Sequence, residues 1–496
     1  MQTQGEPDAG QMIGAILVDS GAAGEALDPK AFMPVIEPFI GRRLEPETTQ
    51  NLLNAISSAA RTRGYVFAKS SIPAQTMTAG VLRVKLDLGR IDRIDLNGVN
   101  SSAVQAMLAP LVGKPATRRE LERRLMLAGD LPGVVIGRTD FATERGEGVL
   151  SVQVSRQSAG LQLGLDNRGT AAVGPVRLTM GYDLSGIIGE DRLSLSGQVQ
   201  MTPFDLHEMA MVAMRAGLLI GNDGTEIALS GTISKAQPQG RISPFAVTGT
   251  VRYAGVAINH PLWRSRKASL WLGGSFDYFA ISQSMVGIQV LDERVALLGM
   301  SLNGYAPLAG GRVRAGIGVS HALGVLGATA VGDPLSSRLG AGAGATVVSG
   351  WANWQGTIAG PFAARLAVSG QMASAALPSV MQMGVGGPQF GRAFEYAERS
   401  GDEGVLGSAE LQYNAIAQGT GLLRAAQLYG FADTGTVSNL RNSFGSGSLS
   451  SAGFGGRFTL PQRVKLGLEM AFPLDAIRYE SGDRTPRFSA SLGANF

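Results

Sequence analysis

From about residue 158 to residue 496 the chain alternates with a period of two. In "VRLTMGYDLS", Val176, Leu178, Met180, Tyr182 and Leu184 are separated by Arg177, Thr179, Gly181, Asp183 and Ser185. "RLSLSGQVQM", "PFAARLAVSGQM" and "RVKLGLEMAF" repeat the pattern, and no helical periodicity interrupts it. Successive side chains of a strand point to opposite faces, so each segment has one apolar and one polar face. A water-soluble sandwich alternates too. Two features favour a wetted interior. The polar face is rich in Gly, Ser, Gln and Arg. The last segment, "RFSASLGANF", carries Phe488, Ala490, Leu492, Ala494 and Phe496 on one face and ends on an aromatic, a barrel C-terminal signature. In a bilayer every backbone group must be paired internally, so a spanning β structure has to close on itself, apolar outside and polar inside. The pattern predicts a membrane β-barrel of about 16 antiparallel strands over 158–496, at about 20 residues per strand and connection. Such a barrel is wide enough for a water-filled lumen. A soluble β-rich domain is the alternative.

Residues 12 to about 156 follow another grammar. "QMIGAILVD" reads as a strand. "DPKAFMPVIEPFIGRRL" reads as a helix, with Phe32, Val35, Ile36, Phe39 and Ile40 at helical spacing and Gly41 at its end. "PETTQNLLNAISSAARTRGY" reads as a second helix, with Leu52, Ile56 and Ala59 on one face, and "VLRVKLDLG" as a strand. "RIDRIDLNG", "SAVQAMLAPLVGKP", "TRRELERRLMLAGDLPG", "VVIGRTDF" and "GVLSVQVSR" repeat that order. Two copies of one βααββ unit are expected, at 12–89 and 90–157, behind a polar segment at 1–11.

Composition narrows the function. The chain has 496 residues and no cysteine, which excludes disulfides, thiolate metal sites and cysteine nucleophiles. His207, His260 and His321 form no ligand-spaced pair, so no metal site and no catalytic triad is expected. A net charge of +4 from 43 basic and 39 acidic residues does not point to nucleic acid. No uninterrupted apolar run of about 18 residues forms a membrane helix. Residues 1–11, MQTQGEPDAGQ, are too polar for a signal peptide. A removed signal, a different start, or no signal are the three readings. Glycine-rich runs near 341–345 lack a phosphate-loop lysine. With no acid/base constellation, no catalytic residue, cofactor or enzyme activity is expected.

Particular motifs go further. "RGYVFAKSSIPAQTMTAGVLRVKLDLGRI" (63–91), marked by Gly64-Tyr65, Ile72-Pro73-Ala74-Gln75 and Gly80-Val81-Leu82, closely resembles the first POTRA domain of two-partner secretion transporters of the haemolysin-activator type. "LERRLMLAGDLPGVVI" (121–136), ending its helix in Asp130-Leu131-Pro132-Gly133, resembles the second. "LQLGLDNRGTAAVGPVRLTMGYDL" looks like the family's first barrel hairpin, and "INHPLWRSRKASLWLG" like a periplasmic turn. The resemblance implies an outer-membrane barrel with two periplasmic α+β POTRA domains. It also implies that "PQFGRAFEYAERSGDEG" belongs to an inward-folded sixth extracellular loop, 384–404, between the eleventh and twelfth strands. The loop tip reads Gly391-Arg392-Ala393-Phe394, followed by Asp402. In the family the tip arginine meets an acid in a Phe-x-Asp-x-Gly motif on the inner wall. Here that motif is Phe431-Ala432-Asp433-Thr434-Gly435, which implies an Arg392–Asp433 pair. An arginine fork suits bidentate carboxylate binding. The family has glycine where Ala393 stands, and a positive φ there would strain alanine by about 1 kcal/mol or more.

The function so implied is translocation of a large exoprotein, unfolded in the periplasm, captured by the POTRA domains and passed through the lumen. Its other partners would be outer-membrane lipid and, during biogenesis, the barrel assembly machinery. An outer-membrane insertase of the same superfamily and a passive porin are the alternatives. About 11 residues ahead of the first POTRA domain are too few for a lumen-spanning plug helix, so a plug lies upstream or gating works otherwise.

Overall fold

The structure, a computed structural model, describes residues 10–21, 29–157, 159–186, 191–203, 205, 207–338, 340–441, 445–479 and 481–496. Most of the expected polar segment, and residue 158 at the expected junction, lie outside the described residues. The chain divides into two compact units, one ending at Arg156 and one beginning at Gln157.

The first unit holds two three-stranded sheets of like plan. In the first, β1 (Ala15–Asp19) runs parallel to β3 (Val81–Asp87), and β2 (Lys69–Ser71) pairs antiparallel with β3. Helices α1 (Met33–Ile36) and α2 (Pro46–Thr62) lie between β1 and β2 in sequence. Leu52, Ile56 and Ala59 of α2 pack with Leu82, Val84 and Leu86 of β3 in one buried core. The helix expected after residue 28 breaks into a 3-10 turn at Pro29–Phe32, the single turn of α1, and a 3-10 turn at Glu37–Phe39. Pro38 has no N–H to continue a helix, and its ring collides with the carbonyl of residue 34. Phe32 and Ile36 still reach the core, while Ile40 is exposed.

In the second sheet, β4 (Arg93–Gly98) is parallel to β6 (Glu147–Arg156), with β5 (Val134–Glu144) antiparallel on the other side. Between β4 and β5 run α3 (Ser102–Leu108) and α4 (Arg118–Gly129). Their first turns are capped as helix starts require: Ser101 Oγ accepts from Val104 N–H, and Thr117 Oγ1 from Glu120 N–H.

The second unit is a closed antiparallel barrel of sixteen strands. In chain order the first eleven are β7 (Ala159–Asp166), β8 (Arg177–Ser185), β9 (Leu193–Met201), β10 (Met209–Ile220), β11 (Thr225–Ala236), β12 (Thr248–Arg264), β13 (Ser269–Met285), β14 (Ile288–Leu308), β15 (Gly311–Leu323), β16 (Thr346–Ala359) and β17 (Phe362–Ala373). Two short strands, β18 (Met383–Val385) and β19 (Arg399–Gly401), pair outside the barrel sheet. The ring resumes with β20 (Glu403–Ile416), β21 (Ala425–Ser438), β22 (Gly447–Thr459), β23 (Lys465–Pro473) and β24 (Arg487–Asn495). It closes where β24 pairs with β7, and Phe496 and Leu161 exchange backbone hydrogen bonds of 2.8 and 3.1 Å.

Alternation assigns the faces. Ile317, Val348, Leu366, Val405, Leu411, Phe454 and Leu492 stand exposed on the outside. An apolar band so wide is a liability in water and a requirement in lipid. No helix among the described residues is long and apolar enough to cross a membrane; the spanning elements are strands. The opposite phase faces the lumen.

Candidate functional site: a loop anchored inside the barrel

On β21 the two phases differ sharply. Tyr429, Phe431, Asp433 and Val437 are buried, while the intervening positions are exposed. Inward residues of an empty water-filled barrel would be wet. These are covered by the connection between β17 and β20. That connection rises through a 3-10 turn at Ser379–Met381 and folds back as the β18–β19 hairpin. Gly391 takes φ 86° at the tip, a left-handed conformation that favours glycine. Ala393 is not in that region, so the expected strain is absent; its methyl is fully buried beside Phe394. Gly435 is required for another reason: a Cβ there would lie 2.5 Å from Leu406 Cδ2 and 2.7 Å from Val385 Cγ2. The glycine lets β18 sit against the wall.

Arg392 reaches the inner wall with 7% of its side chain exposed. Its Nε lies 3.3 Å from Asp433 Oδ2 without hydrogen-bond geometry, and its backbone N–H donates to the same oxygen at 3.2 Å. The expected two residues are together, but not as a bidentate pair. Nη1 donates instead to Glu410 Oε2 at 2.9 Å and Glu469 Oε2 at 3.3 Å, and Nη2 to Ser408 Oγ at 3.2 Å. The Ser408 hydroxyl donates in turn to Asp433 Oδ1 at 2.7 Å. The guanidinium stacks 4.0 Å from the centroid of Phe431, a cation–π contact strengthened by burial. The fork geometry anticipated for Arg392 belongs to Arg457, whose Nη1 and Nη2 meet the two oxygens of Glu410 at 2.6 and 3.0 Å. Arg168 and Tyr429 complete the shell by donating to Glu469, each at 2.9 Å.

Three carboxylates, Glu410, Asp433 and Glu469, therefore meet three guanidiniums, Arg168, Arg392 and Arg457. Charge is neutralised locally, which is the condition for burying it. Phe394 is fully buried, and its carbonyl accepts from Arg487 at 2.7 Å. Such a site binds a loop and performs no bond chemistry.

Asp402 is elsewhere. It is fully buried and accepts from Arg338 and Gln382 side chains and from the N–H groups of Leu377 and Leu440. It thereby ties the loops at 324–345, 374–402 and 439–446 together. Burial pushes its carboxyl up, but the hydrogen bond from Arg338 and the three further donors outweigh this and hold it below the usual carboxylate range.

The N-terminal motif residues build turns. Gly64 takes φ 106° past α2, and Tyr65 bridges to Thr117. The Gln75 amide braces Arg83, donating to its carbonyl at 2.7 Å and accepting from its N–H at 2.9 Å. Pro73 is exposed beside it. Leu131 is buried and Gly133 takes φ 72° in the turn from α4 to β5, with Pro132 between. Phe496 is 65% exposed at the barrel seam. Among the described residues no His, Cys, Asp or Glu group could hold a metal ion.

Glu410, Glu469, Arg457, Arg168, Tyr429 and Ser408 were not foreseen. The signal available was phase: Ser408, Glu410 and Gln412 alternate in the inward register of a strand beside the motif strand.

Two family models match this chain: "Haemolysin secretion/activation protein ShlB/FhaC/HecB" over residues 146–458, and "POTRA domain, ShlB-type" over 20–89. The heme/hemopexin transporter protein HuxB of Haemophilus influenzae is 21% identical over 270 residues, covering 52% of this chain and 47% of that one. The match spans about half the length of that curated relative. Among solved structures, CdiB from Escherichia coli superposes with a TM-score of 0.79 at 17% identity, covering 100% of this chain and 92% of that one. CdiB from Acinetobacter baumannii gives 0.68 at 18% identity, with the same coverage. At these identities the structural likeness speaks to fold.

Proposed function

We propose that this chain, which belongs to the ShlB/FhaC/HecB family of haemolysin secretion/activation proteins, moves a large exoprotein across the outer membrane by two-partner secretion. It is a β-barrel transporter of that membrane and not an enzyme. Its POTRA-type unit takes the unfolded exoprotein in the periplasm, pairing an extended segment with an exposed sheet edge. The segment then passes through the lumen and folds outside, where folding supplies the drive. Outer-membrane lipid surrounds the barrel, and the barrel assembly machinery inserts it.

The observation that carries this reading is the buried Arg392 cluster. A loop pinned to the inner wall by buried ions narrows the lumen and stays there until something displaces it. A transporter for an occasional large substrate needs a passage that is closed at rest and released on engagement. Arg392, Phe394, Phe431, Asp433 and Gly435 form the pin, with Ala393 packed behind it, and Asp402 holds the loop's outer base. The POTRA motif residues keep the capture sheets in shape.

The test is secretion of a candidate exoprotein partner, measured in a strain lacking the transporter and in strains carrying Arg392→Asp, Asp433→Arg or both. Loss of secretion in the deletion strain is expected, with each single variant impaired while the barrel still shows heat-modifiable gel mobility. Normal secretion in the deletion strain would overturn the reading.

A further inference from the structure

The lumen wall beside the anchored loop carries charge of a different kind. Register fixes which residues share each row of the inner face. Trp271, Asn303, Gly316, Trp351 and Ser369 are successive cross-strand partners on β13 to β17. The next row toward the turns at 309–310 and 360–361 is Ser269, Tyr305, Arg314, Asn353 and Ala367. The row after it holds Arg312, Gln355 and Arg365, and Arg365 faces Glu410 on β20. Since Glu410 meets Arg392 inside the barrel, this phase points into the lumen. The alternate phase, with Leu302, Ile317, Val348 and Leu366, is the exposed apolar exterior. These rows lie at the end of the barrel where β7 begins.

Arg312 and Arg314 are exposed and make no ion pair among the described residues. Nearby acids have other partners: Asp277 accepts from Tyr253 and Ser275 at 2.7 and 2.8 Å, and Glu410 is held by Arg392 and Arg457. Flat aromatic surface adjoins the charge. Trp351 is 40% exposed, and its Nε1 would lie 2.6 Å from a Cβ at Gly316, so the indole lies across that glycine. Arg312 sits 4.9 Å from the Tyr305 ring centroid and Arg264 5.3 Å from that of Trp271.

We infer that this inner face of β13–β17, centred on Arg312, Arg314 and Trp351, is a docking surface for an extended polypeptide segment rich in acidic side chains. Uncompensated guanidiniums in a confined lumen with low-dielectric walls attract carboxylates over several ångströms and can bind them bidentately. The exposed Trp351 indole accepts side chains of any sequence, which suits a chain that must slide. The partner's identity as a translocating segment rests on the function proposed above, since that segment would enter at this end. The surface selects acidic stretches as the first to engage the lumen.

The test uses the purified full chain in detergent and a fluorescein-labelled peptide of alternating glutamate and tyrosine, about 12 residues and roughly 40 Å long when extended. Fluorescence anisotropy is compared with that of a lysine–tyrosine peptide. The acidic peptide is expected to bind and the lysine peptide not to. Arg312→Gln/Arg314→Gln should weaken binding about tenfold, and Trp351→Ala several-fold. Arg312→Lys/Arg314→Lys keeps the charge, retains most of the binding, and controls for folding. Equal binding of both peptides, or unchanged binding by the glutamine pair, would overturn the inference. Secretion is scored separately in cells. Normal secretion without the transporter sinks the proposed function and leaves peptide binding untouched. Lost secretion with charge-independent peptide binding sinks this inference alone.

Discussion

Arg392 joins three strands through one side chain, since Glu410, Asp433 and Glu469 come from β20, β21 and β23. Truncation to alanine strands buried carboxylates, a defect of about 3–5 kcal/mol at the loop. The chain has no cysteine, so a single Ala393→Cys reporter is clean. Its thiol should resist maleimide beside Arg392 and react rapidly in the Arg392→Ala background. Arg392→Lys should not restore protection, because one ammonium cannot reach three acids and stack on Phe431. Slow labelling in all three would show that the cluster does not hold the loop. The same tip gives an opposed pair of glycine tests. Ala393→Gly should cost about 0.5–1 kcal/mol, because it removes a buried methyl and adds chain freedom without relieving strain. Gly391→Ala should cost about 1–2 kcal/mol, since its φ is 86°. Tryptic nicking of the folded protein within the loop would rank them, and a stabilised Ala393→Gly would contradict the geometry.

At the scale of elements, the β18–β19 hairpin is held at two places by unlike means. Its tip is pinned by ions, and its base by Asp402 with Arg338 of the loop at 324–345. The carboxyl of Asp402 is held below its ordinary value. A depressed carboxyl contributes its full stability above the unfolded-state value of about 3.9 and loses it as pH falls through the folded value. The hairpin base should therefore stay tight from about pH 8 to pH 5 and loosen only below about pH 4. A spin label at Ser379→Cys would report mobility by electron paramagnetic resonance. Arg338→Gln should move that loosening to higher pH; an unchanged midpoint would remove Arg338 from the account. The tip and base can also separate: loss of the base frees the rim loops while Arg392 keeps the tip inside.

For the whole molecule, the proposed function makes the loop the element that closes or opens a sixteen-stranded ring, and its removal tests this. Replacing 386–398 with a short Gly-Ser turn should leave the ring intact, because none of those residues pairs within the barrel sheet. Conductance of the purified protein in a planar bilayer should rise several-fold, as a lumen of this strand number is wide enough for water once cleared. Secretion should fall, because the resting contact that a substrate displaces is gone. Unchanged conductance would mean that other loops close the lumen.

The local features were readable from the chain alone. Period-two alternation is written within each strand, so the barrel, its two faces and its approximate strand number were legible without pairing information. The paired βααββ repeats were legible too, except at Pro38, where apolar spacing suggested a helix that backbone chemistry forbids. Motifs placed Arg392 and Asp433 in one neighbourhood, but gave neither the geometry nor the company. It took the closed barrel to bring Arg392 Nη1 to Glu410, 18 residues away, and Glu469, 77 away, and to set Asp402 in a separate tie. Ring closure explains the difference. Inward charges look alike in every strand, and which of them become buried partners depends on how a ring of strands curves and where one loop falls inside it.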